Sequence, residues 1–570
     1  MLHFAFNEIE KGKRVRNSDL YDKTRGYGFI TDKNEPVPGL GNHFTLPSYY
    51  KDEDVVKISE TKEGVCIDQA ESCKRLDAAE GRLIPLMFAA DVSEYGNYRV
   101  RVKFTATGEV LVFTGSRRLS FRQDILVRTT VNICLDVNVS RIIPRGQTEP
   151  GERRTVFVSL LGQDAVLSEI EIEKADTPTV FIYGDSTVTD QPADYPWAPG
   201  SSYSGWGQML SDHLQNVAVS NHAHSGLTTE SFRSEGHYDI ARKMLKAGDY
   251  VMMQFAHNDQ KLAHLKAKEG YRDRVVAYIN ETREAGAFPI IVTPLARNTW
   301  KPDKGGYNDL LKEYAEECFE IGKDFEVPVV DLHGFSMNEI LKDGLESSKR
   351  FYFPKDYTHT NDYGAYKMSR YIAGELEKLT GDYAPLAKAV TVDDLEWKTD
   401  EIPVVPEIPE RFKNREKQEE VSGTFSDVER PDDRLLRAEA LDMVIKAAKF
   451  FPTNVFNDIY DDIVGHEWYA GTVQCAFQNG IIPKGMVTDG KFRPEEKVTL
   501  EDLMCFTVSA CGSRKSLPAA KKTRYDSVCD EYAKQYMGVA VALGLIGEDE
   551  DPKRTVIRKD AAKLCSRLGL

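Results

Sequence analysis

The chain has 570 residues, of which 41% are hydrophobic and 29% charged, and a formal net charge of −16. This length predicts several domains, and the composition is that of an ordinary globular protein. The negative charge argues against nucleic acid and anionic membranes as partners. No stretch approaches the ~20 apolar residues of a membrane span. The nine cysteines form no CxxC pair, which is typical of reduced cysteines in a reducing compartment.

The N-terminal stretch MLHFAFNEIEKGKRVRN lacks the basic segment and the apolar core of a signal peptide. We therefore expect a cytoplasmic protein. The alternative is a secreted or cell-surface protein from which a leader has been removed.

Residues 1–174 consist mainly of short segments rich in Val, Ile and Phe, several of which alternate apolar with polar residues. Gly, Asn or Asp separates them, and no long helical pattern intervenes. Many short strands of this kind predict an all-β sandwich. The segments are GNYRVRVKFTA (96–106), GEVLVFTG (108–115), DILVRTTVNICLDV (124–137), RRTVFVSLLG (153–162) and LSEIEIEK (167–174).

Residues 175–382 change to apolar strands that alternate with helical patterns. The predicted strands lie at 179–184, 249–256, 288–296 and 327–333. Near-continuously apolar strands with helices between them predict a parallel sheet covered on both faces, a flavodoxin-like α/β/α domain. The predicted helices are GWGQMLSDHL (205–214), YRDRVVAYINETREAG (271–286) and YNDLLKEYAEECFEIGKDF (307–325).

The last two regions differ again in pattern. Residues 383–430 are rich in Pro and charge without periodicity, which indicates a linker. Residues 431–570 are predicted to be all-α and weakly repetitive, because similar helical segments begin at 436, 499 and 557. A repeat of roughly 60 residues indicates internal duplication.

Ser186 is the candidate nucleophile. It follows the first strand of the parallel sheet in a Gly-Asp-Ser turn, at the edge where such sheets bind ligands. A serine nucleophile needs a base, a carboxylate that orients the base, and donors for the oxyanion. Asp356 and His359, three residues apart before a helix, are candidates for the pair. Gly226, in a loop, and Asn258, directly after the second strand predicted for this sheet, are candidate oxyanion donors.

Together these segments resemble the SGNH (GDSL-type) hydrolase superfamily and, more closely, rhamnogalacturonan acetylesterases. The resemblance spans about 200 residues, and its five blocks stand in the family's order. They are GDSTV (184–188), GWG (205–207), N-x-A-x-x-G (221–226), HND (257–259) and D-x-x-H followed by N-x-x-GA (356–365).

The resemblance implies a role for each matched residue. Ser186 is the nucleophile, His359 the general base and then acid, and Asp356 the residue that orients His359. The backbone N–H groups of Ser186 and Gly226 and the side chain of Asn258 form the oxyanion hole. Neither a metal nor an organic cofactor is expected. Four further residues are predicted to bind substrate: Asp185, Trp206, His257 and Arg297.

One position departs from the family pattern. An arginine commonly follows the loop glycine in these esterases, whereas this chain has Leu227. An acidic pectic substrate favours a cation at this position. Leu227 cannot supply one, so the identity of the substrate stays open. The arginines that would substitute for it are Arg233, Arg272, Arg274 and Arg297.

The predicted function is that of a serine esterase that removes acetyl groups from plant cell-wall polysaccharide fragments, with pectic rhamnogalacturonan as the expected substrate. Its expected partner is therefore an acetylated oligo- or polysaccharide. One alternative is an acetylxylan or acetylmannan esterase, or another SGNH hydrolase. An alternative of another class is a non-catalytic carbohydrate-binding or assembly protein.

The flanking regions also resemble known modules. LYDKTRGYGF (20–29) is similar to the start of a galactose-binding-like β-sandwich, which implies an accessory domain. A domain that buttresses the catalytic fold is favoured, with direct carbohydrate binding as the alternative. Residues 431–570 resemble degenerate S-layer homology (SLH) repeats, in which Arg437 and Arg558 match the basic residue of the motif. In that family the repeats attach proteins to a cell-wall polymer. Because no leader is evident, we expect a scaffold or homo-oligomerisation role for these residues rather than wall attachment.

Overall fold

The computed structural model separates into two compact units, Met1–Lys413 and Asn414–Leu570. The residues that the structure describes are 1–31, 44–46, 56–76, 81–143, 149–299, 307–353, 356–392, 397, 432–450, 459–463, 467–513 and 516–566.

The N-terminal part of the first unit is built from strands, with one short helix among the described residues. The elements are β1 (Leu2–Ala5), β2 (Lys13–Arg14), β3 (Tyr27–Ile30), β4 (Phe44–Thr45), β5 (Ile58–Glu60), β6 (Val65–Ile67), α1 (Gln69–Arg75), β7 (Leu86–Asp91), β8 (Gly96–Thr114), β9 (Arg118–Val139), β10 (Thr155–Leu161) and β11 (Val166–Ala175).

A long antiparallel hairpin of β8 and β9 forms the centre of this part. Its register runs from Gly96 opposite Val139 to Thr114 opposite Arg118. The segments predicted as separate strands at 96–106 and 108–115 are one strand, because the register shifts between Ala106 and Gly108 without breaking the pairing. Gly108 has a φ of +74°, a conformation that a glycine adopts without steric cost, and a bulge of this kind bends a strand.

The next part of the first unit alternates strands and helices, as predicted. The elements are β12 (Thr179–Gly184), β13 (Ala193–Asp194), β14 (Ala218–Asn221), α2 (Ser231–Ser234), α3 (His237–Met244), β15 (Tyr250–Gln254), α4 (Arg272–Glu284), β16 (Phe288–Val292), α5 (Lys312–Phe325), β17 (Val329–Val330), α6 (Leu332–Ser348), α7 (Asp362–Leu376) and α8 (Ala384–Ala389).

Five parallel strands form the sheet of this part, in the order β17-β16-β15-β12-β14. Without the two-residue strand β13, which pairs with β4 elsewhere, this is the 2-1-3-4-5 order of flavodoxin-like folds. Both faces of β12 are buried. Phe181 and Tyr183 pack into one apolar cluster, and Val180 and Ile182 pack into the other. Such two-sided burial requires the near-continuously apolar sequence from which the strand was predicted.

Two sequence predictions differ from this part of the structure. GWGQMLSDHL forms two short 3₁₀ turns, Trp206–Gln208 and Leu210–His213, rather than an α-helix. The glycines allow a close approach to Val188, since a Cβ on Gly205 would lie 2.2 Å from the Val188 carbonyl carbon. The predicted linker 383–430 begins with a helix, α8, whose Leu386 is buried. Most of the remaining linker lies outside the described residues.

The β-rich part and the parallel sheet are hydrogen-bonded to each other. Strand β14 pairs with β9 through Val219 and Val137, so one mixed sheet extends through both parts. The predicted boundary at residue 174 therefore falls within one compact unit.

The second unit is helical in its described residues, and its core contains residues from all of the longer helices. No helix among the residues described in either unit is both long and apolar enough to span a membrane. The helices of the second unit are α9 (Arg437–Ala447), α10 (Ala470–Gln478), α11 (Leu500–Gly512), α12 (Tyr525–Val528), α13 (Lys534–Ala542) and α14 (Arg558–Ser566).

Candidate active site

Ser186 lies in the turn that ends β12. It is half-buried, whereas its neighbours Asp185 and Thr187 are buried. The Asp185 carboxylate closes the turn by accepting hydrogen bonds from the Thr187 N–H (2.9 Å) and hydroxyl (2.8 Å). Gly184 is needed at the strand end, because a Cβ there would lie 2.8 Å from the Gln254 carbonyl oxygen. The strand therefore ends in a turn that exposes one side chain, that of Ser186.

Ser186, His359 and Asp356 form a continuous hydrogen-bonded chain. The Ser186 hydroxyl lies 2.8 Å from His359 Nε2, and His359 Nδ1 lies 2.8 Å from Asp356 Oδ2. The second oxygen of Asp356 accepts from the backbone N–H groups of Thr358 (2.8 Å) and His359 (2.9 Å). These backbone bonds fix the carboxylate in the position from which it orients the imidazole.

The electrostatics of the pair favour an ionised carboxylate. Burial alone raises the pKa of Asp356, but the charge of His359 and the hydrogen bonds to the carboxylate outweigh it, so the pKa lies below its ordinary value. An ionised Asp356 accepts a hydrogen bond from the Nδ1–H of His359. Nε2 then carries a lone pair that accepts the Ser186 hydroxyl proton.

The three predicted oxyanion donors lie in the loops that follow β12, β14 and β15. Asn258 follows β15, and its Nδ2 donates to the Leu227 carbonyl (3.0 Å) while its Oδ1 accepts from Lys261 Nζ (2.9 Å). Gly226 is exposed and has a φ of +86°, the left-handed region that favours glycine. Neither the N–H of Ser186 nor that of Gly226 donates to a backbone carbonyl of a described residue.

The backbone is strained directly before Asn258. Ala256 has a φ of +116°, which side-chain-bearing residues rarely adopt and which functional sites often contain. Asp259 stabilises this turn, because it accepts from the N–H of Ala256 (3.1 Å) and from the N–H and hydroxyl of Thr229 (2.8 and 2.6 Å). Burial raises the pKa of Asp259 to about 6.

The four residues predicted to bind substrate are buried, and this contradicts direct contact with a sugar. Each is at most 1% exposed, and each makes hydrogen bonds that hold the segments of the site together. His257 Nδ1 lies 3.2 Å from Asp185, and its Nε2 lies 2.9 Å from the Leu295 carbonyl. Trp206 donates to Gln254 (2.8 Å), and Arg297 donates to the His257 carbonyl (3.0 Å). Residue type and motif position do not distinguish a buried support from a substrate contact.

Leu227 and the arginines considered in its place also have other roles. Leu227 is 1% exposed and belongs to an apolar cluster of the core, so only its carbonyl, bound to Asn258, takes part in the site. The three exposed or half-buried arginines are ion-paired. Their partners are Glu281 for Arg233, Glu317 and Asp324 for Arg272, and Glu230 for Arg274.

Tyr203 and Phe353 lie beside the triad, and the sequence analysis did not identify them. The Tyr203 hydroxyl donates to Asp356 Oδ2 at 3.4 Å, and its ring stacks on Phe353 with centroids 3.7 Å apart. Both residues are half-buried. No motif marks them, although Tyr203 stands two residues before the GWG block.

One group of described side chains has the spacing of metal ligands: His3, Glu169 and Glu171, on β1 and β11. His3 Nε2 lies 2.5 Å from Glu169 and 3.7 Å from Glu171, and Arg101 lies 3.5 Å from Glu171. The cation already beside Glu171 satisfies part of this negative charge. None of these residues belongs to the triad or to the predicted oxyanion hole.

A model of the GDSL-like lipase/acylhydrolase family matches residues 182–366. The rhamnogalacturonan acetylesterase RhgT of Bacillus subtilis is 32% identical over 217 residues, which are 35% of this chain and 90% of that relative. The chain belongs to the GDSL-like lipase/acylhydrolase family. It is a carboxylic ester hydrolase, as the motifs predicted.

Other relatives of this GDSL hydrolase extend the comparison. A rhamnogalacturonan acetylesterase of Emericella nidulans is 28% identical over 33% of the chain and 80% of its own length. The uncharacterized esterase YxiM of Bacillus subtilis is 25% identical over 66% of the chain and 90% of its own length. A crystal structure of YxiM covers the same share of the chain, with a TM-score of 0.34 and 21% identity.

The second unit of the hydrolase has a family match of its own. A model of the S-layer homology domain matches residues 459–504. The predicted resemblance to the S-layer homology domain is therefore confirmed for that segment.

Proposed function

We propose that this GDSL hydrolase removes O-acetyl groups from plant cell-wall carbohydrate, with acetylated rhamnogalacturonan as its preferred substrate. The observation that supports catalysis is the hydrogen-bonded chain from Ser186 through His359 to Asp356, with both links at 2.8 Å. The substrate class rests on two relatives that are named rhamnogalacturonan acetylesterases.

The first half-reaction transfers the acetyl group to the enzyme. Ser186 Oγ attacks the acetyl carbonyl carbon while Nε2 of His359 accepts the hydroxyl proton. The carbonyl oxygen becomes an oxyanion, which the N–H groups of Ser186 and Gly226 and the amide of Asn258 stabilise. The bond to the sugar oxygen then breaks, and His359 donates its proton to that oxygen. An acetyl-enzyme and a free sugar hydroxyl result.

The second half-reaction releases acetate. Water attacks the acetyl carbonyl carbon with His359 again as the base, and the same donors hold the second oxyanion. When the bond to Ser186 Oγ breaks, His359 returns the proton to the serine. Asp356 stays ionised throughout and stabilises the imidazolium in both halves, which agrees with its lowered pKa.

The deciding experiment measures acetate release from acetylated rhamnogalacturonan oligosaccharides, acetylated xylan and acetylated mannan, with Ser186→Ala as the control. Release from the pectic substrate that the substitution abolishes supports the proposal. Release only from xylan or mannan keeps the mechanism and contradicts the substrate. If the folded wild-type chain releases no acetate, the alternative of a binding or assembly protein is favoured.

We propose further that the second unit attaches the enzyme to a cell-wall polymer, because its SLH match favours the cell-surface alternative over the predicted cytoplasmic location. The basic residues that match the SLH motif already have acidic neighbours. Arg437 lies 3.1 Å from Asp502, and Arg558 lies 2.7 Å from Glu439. Co-sedimentation of the full chain with purified cell walls tests this attachment. A chain that stays in the supernatant but forms dimers would support oligomerisation instead.

A further inference from the structure

Two consecutive arginines, Arg117 and Arg118, lie where the β8–β9 hairpin reverses direction. The Arg117 side chain is fully inaccessible, and that of Arg118 is 5% exposed. Arginines at the tip of a hairpin are ordinarily solvated, and fully buried ones occur where they are paired. Both side chains instead extend from the β-rich part into the interior of the part that carries the active site.

Arg117 makes five hydrogen bonds, all to the α/β part. Its Nε donates to the Gln191 carbonyl (2.9 Å), and its Nη1 donates to Asp362 Oδ1 (2.8 Å). Its Nη2 donates to the Tyr203 carbonyl (2.6 Å), the Ser204 hydroxyl (2.8 Å) and Gln208 Oε1 (3.2 Å).

These partners belong to the segments that hold the triad. Gln191 lies five residues after Ser186, and its amide donates to the Ser186 carbonyl at 3.4 Å. Asp362 begins α7, three residues after His359. Tyr203, whose carbonyl Arg117 binds, donates through its hydroxyl to Asp356. One guanidinium therefore connects the segments of all three triad residues.

Arg118 connects the same hairpin to the segment after the nucleophile by a second route. Its Nε donates to Asp190 Oδ2 and its Nη1 to the Val219 carbonyl, both at 2.8 Å. The other oxygen of Asp190 accepts from Asn221 Nδ2 at 2.9 Å, and Asn221 belongs to the motif that leads into the Gly226 loop. Burial raises the pKa of Asp190 despite the charge of Arg118, so this carboxylate depends on its cation.

The backbone at Arg117 provides an independent indication. Its φ of +60° lies in the left-handed region, where a hairpin turn favours glycine or asparagine. An arginine in this conformation is strained, and strain of this kind persists where surrounding contacts fix the residue. The five hydrogen bonds of the side chain supply those contacts.

We propose that Arg117 and Arg118 are positioning residues of the esterase, through which the β-rich part holds Ser186 and His359 in reacting geometry. This inference rests on the proposed function, because it assigns a purpose to the geometry of that triad. The β-rich part is then a component of the catalytic apparatus rather than an accessory carbohydrate-binding domain.

Arg117→Lys tests the inference, because it keeps the charge but not the forked set of five bonds. The steady-state kinetics of p-nitrophenyl acetate hydrolysis are measured across pH. We expect kcat to fall by about 100-fold, the loss typical of a catalytic group displaced by about 1 Å. KM should change little, and the apparent pKa in the kcat/KM profile should shift because His359 moves relative to Asp356.

The matched control is Arg99→Met. Arg99 lies on the same hairpin, its side chain is 29% exposed, and it is ion-paired with Asp136 at 3.2 Å. It also donates to Asn216 Oδ1 at 3.4 Å, and neither partner lies in a segment that holds a triad residue. We expect this variant to lose thermal stability but to keep kcat and the pH profile of the wild type. Equal losses of kcat in the two variants would indicate a merely structural role and overturn the inference.

Two further variants keep the test decisive if Arg117→Lys folds poorly. Ser204→Ala removes a hydroxyl that lies between Arg117 and Asp362, at 2.8 and 2.6 Å, and should lower kcat less than Arg117→Lys. Arg117→Ala should regain part of its kcat in millimolar guanidinium, whereas guanidinium should leave the kcat of Arg99→Ala unchanged. Wild-type kcat in both Arg117→Lys and Ser204→Ala would overturn the inference. A wild-type chain that is no more active than Ser186→Ala would instead contradict the proposed function, and this inference with it.

Discussion

The two units of this chain place their charged residues differently. In the first unit, the ion pairs beside the active site have both of their partners buried. Arg117 and Asp362 are both inaccessible, and Arg118 and Asp190 are only 5% and 6% exposed. In the second unit, the buried carboxylates pair with cations that reach solvent. Glu501 is 2% exposed, but its partner Lys553 is 44% exposed.

This difference indicates where the fold maintains geometry at an energetic cost. Removing two charges from water costs several kcal/mol per ion, which the attraction between them offsets only when their geometry and hydrogen bonding are good. The first unit bears this cost beneath Ser186 and His359. The second unit bears less of it, since the cations of its pairs stay partly in solvent and its core is formed mainly by apolar side chains such as Leu441, Leu503 and Met537. Substitutions of polar residues should therefore affect catalysis in the first unit and only stability in the second.

The largest contrast is expected from a carboxylate replaced by its amide in each unit. Asp356→Asn should lower kcat by about 10⁴-fold, because an amide favours the wrong tautomer of His359. The control in the second unit is Asp462→Asn. Asp462 also caps backbone N–H groups, those of Phe492 (2.9 Å) and Arg493 (2.6 Å). Steady-state kinetics of both variants check this contrast. A comparable fall of kcat in Asp462→Asn would contradict it.

A smaller contrast is expected from asparagine. Asn258→Ala should lower kcat by about 10²–10³-fold with little change in KM, the effect of losing one oxyanion donor. In the second unit, Asn479 donates to the Cys475 carbonyl at the end of α10 (2.8 Å), and Asn479→Ala should leave kcat unchanged. If Asn258→Ala raises KM instead, the amide binds the ground state of the substrate and is not an oxyanion donor.

The sequence singled out Ser186, His359 and Asp356, which the structure joins by hydrogen bonds, because their signals are local. Asp356 and His359 lie within one turn, and Ser186 ends a buried strand whose apolar run is evident. Strand β14 was missed because AVSN has four residues and only two are strongly apolar. Its pairing with β12 and β9 determines the strand, and pairing partners distant in the chain leave no local pattern.

The buried residues that hold the site in place could not be predicted from the sequence, for the same reason. Arg117 and Asp362 are 245 residues apart in the chain, so neither shows that it is paired. Arg297 and His257 were interpreted as substrate contacts because charged and aromatic residues in motifs commonly are. Their burial depends on the packing of β15 and β16 and the loops that follow, which spacing alone does not reveal.

A third prediction concerns the pH dependence of stability, which should differ between the two units. Burial lowers the pKa of His213 and His222 to about 3 and that of His237 to about 4. Because the unfolded chain binds these protons near pH 6.5 and the folded one does not, the free energy of unfolding falls as pH drops from 6.5 to 4. The slope is about 1.4 kcal/mol per pH unit for each histidine. Asp259, with its raised pKa, opposes this loss between pH 6 and 4.

Urea unfolding of the full chain at pH 7 and pH 5, followed by hydrogen exchange in each unit, checks this prediction. His222→Gln should reduce the loss of stability of the first unit. No histidine lies among the described residues of the second unit, so its stability should vary less over this range. An equal loss in both units would contradict the assignment to buried histidines.

The smallest effect is expected from Arg437→Gln in the second unit. Arg437 lies 3.1 Å from Asp502 and donates to the Phe492 carbonyl at 2.8 Å, and its side chain is 12% exposed. Losing these bonds should destabilise the unit by about 2 kcal/mol, as for hydrogen bonds to charged groups. Asp502 keeps the Tyr532 hydroxyl as a donor (2.8 Å), which limits the loss. Hydrogen exchange in α9 and α11 measures it. Arg493→Gln, at an exposed pair with Asp489, should change the stability of the unit less, because solvent screens such pairs. Esterase activity should stay at the wild-type level in both, because these charges stabilise packing and orient no reacting group.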